Sequence, residues 1–512
     1  MAYFHQTMGT NNTLISRPQA NICRPEFYSG LLFLVIALLL PVNVFSTGIQ
    51  ETFSNILSFS NTSPKSDTGK DGLSLHLNCE YDDIVKYRSI TIDSARHDSL
   101  VADSRRFAAR FSANWKHGNK NLRLFFDGVD MSTAIHMNDD YFTGFEGKQN
   151  RFIAGIGGSL TGKKLRTSSM LSIPLYERTT ELSSLAKRIN AQLSAGISIN
   201  KFSFDILASK FSPPSAKLVP FLNYTAFEIP FNPLIQTGQI SLSYSNTLLS
   251  ATLTGSIKAF STDTVKSAQQ FSLNSNGYSK SAVCSLQSYT RFNPYITFNG
   301  SLSSIKTESK YGNKVFLGLD TLHINKARIT AGGEFINKRL KVAFFHERLN
   351  LATDSGVADL FPFSSWASLF DVAYRIDTMT SSLQESGISL KWAVSKIHGK
   401  HNFEIGLDAS YLTYSDSLLM REKQRLYLFF FTLGPYEGFT SGNTDKLWLK
   451  PNITYTWRPS DKWILNAGLA QHIPLDISFS GTSQSGNEES STKRELSFRG
   501  GTIINFDLTR LF

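Results

Sequence analysis

Histidines that lie near acidic residues are the feature of this sequence best suited to chemistry. Such groups occur at His136, Asp139 and Asp140, at His346, Glu347 and Arg348, and at His472. An imidazole next to carboxylates can serve as a general base or as a metal ligand. The first group, however, lies among Asp and Asn residues that are typical of a solvated turn, and the others are typical of strand ends. The sequence therefore nominates no catalytic, cofactor-binding or metal-binding residue.

The motifs of the common enzyme classes are missing from the chain. It has no Gly-rich phosphate loop between a strand and a helix, no Cys-x-x-Cys pair and no nucleophile elbow. Of its three cysteines, Cys23 lies in a leader described below, and Cys79 and Cys284 are far apart in sequence. We therefore expect a protein that is not an enzyme and holds no cofactor.

The elements that would position any functional side chain are β-hairpins. In INAQLSAGISINKFSFDILASKF, residues 189–211, apolar residues occupy the odd positions up to Ile199, with polar or small residues between them. After Asn200 and Lys201 the apolar residues continue at even positions from Phe202. A period of two places one kind of residue on each face of a strand, and the change of parity at a two-residue turn indicates a tight hairpin.

The same pattern returns in three further hairpins. They are predicted to turn near residues 246–247, 337–338 and 399–400. Their strands run for roughly 9 to 12 residues, which is enough to cross a bilayer at a tilt, whereas strands of soluble sheets have a mode near 5 to 6 residues. One face of each strand is therefore predicted to meet lipid and the other a polar lumen. Because lipid cannot satisfy an open sheet edge, such strands must close into a barrel.

An N-terminal leader is predicted before the strands. Basic residues precede the apolar run LLFLVIALLL, which Pro41 ends at about half the ~20 residues that a transmembrane helix needs. We predict cleavage after Ser46, with Met1 or Met8 as the start, and an uncleaved anchor is the alternative. The predicted organisation is a signal peptide at residues 1–46, a flexible N-terminal segment at 47–71 and a transmembrane β-barrel at 72–512.

Two tryptophans flank another predicted turn. Trp457 ends one apolar strand and Trp463 begins the next, with Arg458, Pro459, Ser460 and Asp461 in the turn region. Amphipathic rings prefer the boundary between lipid headgroups and hydrocarbon, so we predict that both are membrane-interface aromatics. Cross-strand packing in a soluble hairpin is the alternative explanation.

The chain ends in GGTIINFDLTRLF, an alternating strand whose apolar face carries Ile504, Phe506, Leu508 and Phe512. This resembles the closing strand of bacterial outer-membrane β-barrel proteins of the porin-like class, which ends in an aromatic residue. The resemblance implies that these four residues form an assembly signal for the barrel-assembly machinery, and that the protein belongs in the bacterial cell outer membrane. Arg510 departs from the family pattern, which usually has a hydrophobic or aromatic residue at that place.

The predicted fold class is all-β: a transmembrane antiparallel up-and-down β-barrel of roughly 16 to 20 strands. Less periodic stretches are predicted to form external loops, at residues 130–148, 351–366, 414–422 and 478–492.

The charge of the chain is basic but scattered. It has 52 Lys and Arg against 41 Asp and Glu, and removal of residues 1–46 leaves 50 and 40, a net charge of +10. Because the basic residues are not clustered with aromatics on one face, we expect no nucleic-acid partner, and instead expect contact with outer-membrane lipid and lipopolysaccharide. 

The predicted function is a porin-like channel or transporter that passes small hydrophilic solutes. The alternatives are a barrel enzyme that acts on lipid or peptide, and a non-conducting structural or adhesive barrel. The solute, the oligomeric state and whether a segment plugs the lumen are left open by the sequence.

Overall fold

The computed structural model describes most of the chain after residue 70. The described residues are 71–93, 96–137, 142–177, 188–212, 216–222, 225–226, 229–263, 271–311, 314–336, 339–353, 355–359, 372–397, 400–424, 437–485, 488–499 and 501–512. The predicted signal peptide, and the predicted N-terminal segment apart from Asp71, lie outside these residues.

The described residues form β-strands joined by turns. The segments are β1 Gly72–Asp93, β2 Arg96–His117, β3 Lys120–Met137, β4 Phe142–Thr161, β5 Leu165–Glu177, β6 Asn190–Ile199, β7 Phe202–Phe211, β8 Ala216–Leu222, β9 Thr225–Ala226, β10 Ile229–Ser245, β11 Leu249–Asp263, β12 Phe271–Ser288, β13 Tyr295–Tyr311, β14 Lys314–Phe335, β15 Leu340–Thr353, β16 Gly356–Asp359, β17 Val372–Ile397, β18 His401–Gln424, β19 Glu437–Ser460, β20 Trp463–Gln471, β21 Ile473–Ser485, β22 Glu488–Arg499 and β23 Thr502–Leu511. Within the described residues, no helix is long and apolar enough to cross a membrane.

These segments build a closed antiparallel barrel of 18 strands, which confirms the predicted fold class. Segments β8, β16 and β21 continue β7, β15 and β20, and β22 with β23 makes the last strand. The barrel closes where β23 pairs with β1, with Leu511 opposite Ser74. Next to this pair, the backbone N–H of Phe512 donates a hydrogen bond to the carbonyl of Leu73 at 2.9 Å.

The four predicted hairpins are confirmed by their register. In the first, Ile197 lies opposite Phe204 on the two sides of the turn at Asn200, and both face the same way. The other three are formed by β10 with β11, β14 with β15, and β17 with β18. Their turns share one rim of the barrel with the start of β1 at Gly72 and the end of β23 at Leu511, and we call this the short-turn rim.

Most strands are longer than predicted, and β17 reaches 26 residues. The loops predicted at 130–148, 414–422 and 478–492 are largely wrong, because they lie mainly in extended hairpins of β3 and β4, of β18, and of β21 and β22. Where a strand rises beyond an apolar band, both faces can be polar, so alternation in the sequence disappears while the hydrogen-bonded ladder continues.

The strand that pairs with β4 changes partway along its length. Near the short-turn rim β4 pairs with β5, up to Arg151 opposite Glu177. Beyond that level it pairs with β8, starting at Lys148 opposite Lys217. The hairpin of β5 and β6 therefore stops partway up the barrel, and the ladder passes directly from β4 to β8 above it.

Alternate residues of each strand face opposite sides of the wall. On one side large apolar residues are exposed, including Leu193 and Ile199, each 64% accessible. On the other side lie most of the ion pairs and the buried residues, such as Asp127 and Phe125. In a barrel with this pattern, the exposed apolar side is the lipid-facing outer surface and the other side is the lumen.

Candidate functional site

Arginines dominate the inner wall of strands β2 to β5. They alternate in parity with outward-facing apolar residues. Arg106 and Arg110, for example, lie on the face of β2 opposite to that of the exposed Phe107 and Phe111. The arginine cluster comprises Arg106, Arg110, Arg123, Arg151 and Arg166. Adjacent strands bring these side chains to one part of the lumen.

Carboxylates from neighbouring strands pair with part of this cluster. Arg110 Nη2 lies 3.1 Å from Asp127 Oδ2, and both side chains are largely buried. Arg106 Nη2 lies 3.2 Å from Glu80 Oε2. Such pairs hold the long arginine side chains in place and reduce the net positive charge of the wall.

One ion pair crosses an intervening strand. Arg166 on β5 donates from Nη2 to both carboxylate oxygens of Asp205 on β7, each at 2.9 Å. Gly196 of β6 lies between them, opposite both residues, and a Cβ atom there would overlap the Asp205 carboxylate. A glycine is therefore required at this position for the pair to form.

Buried polar residues join the end of the β5–β6 hairpin to the wall. Asn190 donates from Nδ2 to Ser172 Oγ at 2.9 Å and accepts from the backbone N–H of Ser212 at 2.8 Å. Arg151 donates to the Ser212 carbonyl and lies over the Phe211 ring, with its Cζ 5.9 Å from the centroid. These contacts fix the place where the wall passes from β4 to β8.

A second charged region lies on β14, β15 and β18. Glu347 accepts from Lys326 at 2.8 Å and from Arg328 at 3.3 Å. Lys341 lies 3.9 Å from Glu404. The lumen wall therefore has two separate charged regions, and each of them contains both basic and acidic side chains.

Apolar residues on the inner wall were missed by the sequence analysis, which predicted a polar lumen. Those below 10% accessibility include Phe125, Ile153, Leu207 and Phe211 near the arginine cluster, and Ile305, Leu322 and Ile324 on β13 and β14. Their parity was the available signal, since each occupies a position at which its strand otherwise carries polar or small residues. Phe125 packs across Gly155, where a Cβ atom would overlap its ring.

The predicted interface tryptophans both lie on the outer face at the short-turn rim. Trp457 is 37% accessible and stacks with His401 at 6.3 Å between ring centroids. Trp463 begins β20 directly after the turn. Their contact with a membrane interface remains a prediction.

The predicted assembly signal lies on the closing strand. Ile504, Phe506 and Leu508 face outward from β23, opposite Leu469, Ala467 and Leu465 of β20, and Phe512 follows at the rim. Recognition of these residues by assembly machinery remains a prediction.

The histidine groups do not form a site among the described residues. His136 belongs to strand β3, opposite Gly144, and not to the predicted loop, while Asp139 and Asp140 lie outside the described residues. His346 Nδ1 is hydrogen-bonded to Ser386 Oγ at 2.8 Å on the outer face. His472 separates β20 from β21, and its backbone N–H donates to the Gly501 carbonyl. No group of three or more possible metal ligands occurs in the described part of the chain.

No family model and no curated protein matches the chain. Among solved structures, it is similar to OccK7 (OpdD) from Pseudomonas aeruginosa, with 9% identity, a TM-score of 0.33 and coverage of 87% of this chain and 100% of the other. It is also similar to OpdQ from the same organism, with 10% identity, a TM-score of 0.31 and coverage of 86% and 98%. A FadL homologue from that organism has 6% identity, a TM-score of 0.31 and coverage of 86% and 90%.

These neighbours are bacterial outer-membrane barrels. TM-scores near 0.3 at 6–10% identity do not distinguish the function of one barrel from that of another.

Proposed function

We propose that this protein is an outer-membrane channel that passes small hydrophilic solutes, with a weak preference for anions, and that it is not an enzyme. The observation that carries the proposal is the charged inner wall of a closed barrel whose outer wall is apolar. Barrels of about 16 to 18 strands leave an aqueous channel that side chains do not fill. Polar and charged residues on the lumen side are what such a channel requires.

The arginine cluster supports the direction of the ion preference. Its members pair with Glu80, Asp127 and Asp205, so the positive charge of the wall is reduced but not reversed. The chain after residue 46 has a net charge of +10, which acts in the same direction. Because water and salt in the lumen screen these charges, the selectivity is expected to be small.

The outer membrane is the location that fits this architecture. An apolar outer face needs lipid around it. Apart from Arg510, the terminal strand also resembles the closing strand of bacterial outer-membrane barrels. In such barrels the short turns lie on the periplasmic side and the longer hairpins extend outward. The short-turn rim, with the start of β1 and the end of β23, is accordingly assigned to the periplasm.

Single-channel recording in a planar bilayer tests the proposal. The purified folded protein should give discrete conductance steps and a small reversal potential toward anions, and this potential should decrease as the salt concentration rises. A heat-denatured sample provides the control for insertion artefacts. Correctly folded protein that never conducts would reject the channel and favour the structural or enzymatic alternative.

A further inference from the structure

A groove lies on the outer surface of strands β6, β7, β10 and β11. Its floor is formed by Ala208 and Gly238, which are opposite each other in the register of β7 and β10. Leu193 and Ile257, the next residues in the same row on β6 and β11, form its sides. The volume of the groove is about 550 Å³.

The floor opens toward the surroundings of the barrel and not toward its lumen. Gly238 has the same parity as the exposed residues Ile240 and Leu242 of β10. A Cβ atom built on Gly238 would have nothing within 4 Å. The groove is therefore a shallow gap in a surface that is otherwise covered by large apolar side chains.

A lysine and a glutamine lie at one end of the groove. Lys210 and Gln236 are opposite each other, one row beyond Ala208 and Gly238, and both face outward. At all other outward positions from Phe202 to Ala208 on β7 the residues are apolar. In the part of the chain that the structure describes, no carboxylate pairs with Lys210.

The position of Lys210 along the strand corresponds to a membrane boundary. It follows Phe202, at the short-turn rim, by eight residues. This is about 26 Å along the strand at ~3.3 Å per residue. A tilt of ~40° reduces it to about 20 Å across the membrane, compared with an apolar band of about 25 Å. A lysine a few ångströms inside the boundary can extend its ammonium group to the headgroups.

We propose that this groove binds an acyl chain of lipopolysaccharide, with a phosphate of its lipid A headgroup against the ammonium group of Lys210. The proposal rests on the proposed outer-membrane location and orientation, because these place the Lys210 end in the leaflet that contains lipopolysaccharide. The small floor residues allow a chain to lie between Leu193 and Ile257. The amide of Gln236 provides a hydrogen-bond donor beside the lysine.

Lipid binding to the folded full-length barrel in detergent tests this assignment. Bisphosphorylated lipid A is titrated against the protein and the bound lipid is counted by native mass spectrometry. Gly238→Leu should weaken binding about tenfold, which corresponds to about two displaced methylene groups. Lys210→Gln should weaken it about fivefold, the effect of one basic residue near an anionic lipid surface.

Gly255→Leu is the matched control. Gly255 also faces outward from β11 with nothing within 4 Å of a built Cβ, but it is outside the groove. Its replacement should leave lipid A binding unchanged. Lipid A without phosphates should bind equally to the Lys210→Gln variant and to the unmodified chain.

Several results would overturn the proposal. They are equal binding by all variants, binding of phosphatidylethanolamine as tight as that of lipid A, and a dimer that Gly238→Leu separates, which would identify a second copy as the occupant. If Gly238→Leu fails to fold, Lys210→Gln and the dephosphorylated lipid still decide the question. The groove residues face away from the lumen, so the two proposals can fail separately. A variant that keeps both its lipid binding and its conductance would reject lipid binding in the groove, while the proposed channel function would stand.

Discussion

The guanidinium group of Arg510 lies over the ring of Trp463, with its Cζ atom 4.9 Å from the ring centroid. The two residues are opposite each other in the ladder between β23 and β20. Arg510 also lies 4.3 Å from the centroid of the Phe512 ring. The residue that departs from the usual closing-strand pattern is thus packed between two aromatic rings at the short-turn rim.

A double-mutant cycle should detect this contact. We expect a coupling free energy of about 0.5–1 kcal/mol between Arg510→Leu and Trp463→Leu, because an exposed cation over a tryptophan ring is stabilised by this amount. The free energies of unfolding of both single variants and the double variant are measured by denaturant titration of the folded barrel. Additive effects of the two substitutions would show that the rings and the cation do not stabilise each other.

Removal of Phe512 should lower the amount of protein in the outer membrane. The terminal residue continues the apolar face of Ile504, Phe506 and Leu508, which the closing-strand resemblance identifies as an assembly signal. Export of the precursor should be unchanged, as measured by its signal-peptide processing. Phe512→Tyr keeps an aromatic ring and serves as the control, with membrane levels near those of the unmodified protein. Normal levels of the truncated chain would contradict the prediction.

Arginine at Leu253 should destabilise the barrel by about 2–4 kcal/mol if the site is near the bilayer midplane, because a charge would then face lipid. Leu253 is 54% accessible on the outer face. Arginine at the adjacent Thr252, on the lumen face, should cost far less. Unfolding from lipid vesicles measures both, and equal tolerance would refute the assignment of the two faces.

Neutralising one partner of the Arg166–Asp205 pair should change ion selectivity. Asp205→Asn should move the reversal potential toward anions and Arg166→Gln should move it toward cations, because each removes one charge from the lumen wall. Both side chains are about 40% accessible, so stability should change by less than about 1 kcal/mol. Planar-bilayer recordings in a salt gradient provide the measurement. Shifts in the same direction for both variants would contradict a role for these charges in the conduction path.

Alanine at Gly155 should destabilise the barrel by about 1–3 kcal/mol through overpacking. The added methyl group would overlap the Phe125 ring and lie 2.7 Å from Ser172 Cβ. Combining it with Phe125→Leu should recover part of the loss, which denaturant titration can measure. Gly238→Ala, where the Cβ meets open space, should not destabilise the protein. Equal effects of the two alanines would show that Phe125 does not occupy this position.

Local alternation was enough to identify the four hairpins and their lipid-facing parity. The reason is that apolar residues partition to lipid and polar residues to water, so every lipid-crossing strand must repeat this choice with a period of two. The hairpin turn at Asn200 is an example, because the change of parity there already shows which residues share a face. Strand length was underestimated because ladders such as those of β17 and β18 continue into water, where no such constraint acts on the side chains.

The tertiary structure decided which residues meet inside the barrel. Arg166 and Asp205 are 39 positions apart and contact each other only because β5, β6 and β7 are in register and Gly196 leaves space between them. The packing of Phe125 across Gly155 and the joining of β23 to β1 depend on pairing across the sheet in the same way. The sequence by itself determined the alternation, the polarity of the two faces and the pattern of the closing strand, since these follow from the partition of each residue between lipid and water. Register, closure and the arginine cluster were decided by hydrogen bonding between strands distant in sequence, which no local pattern records.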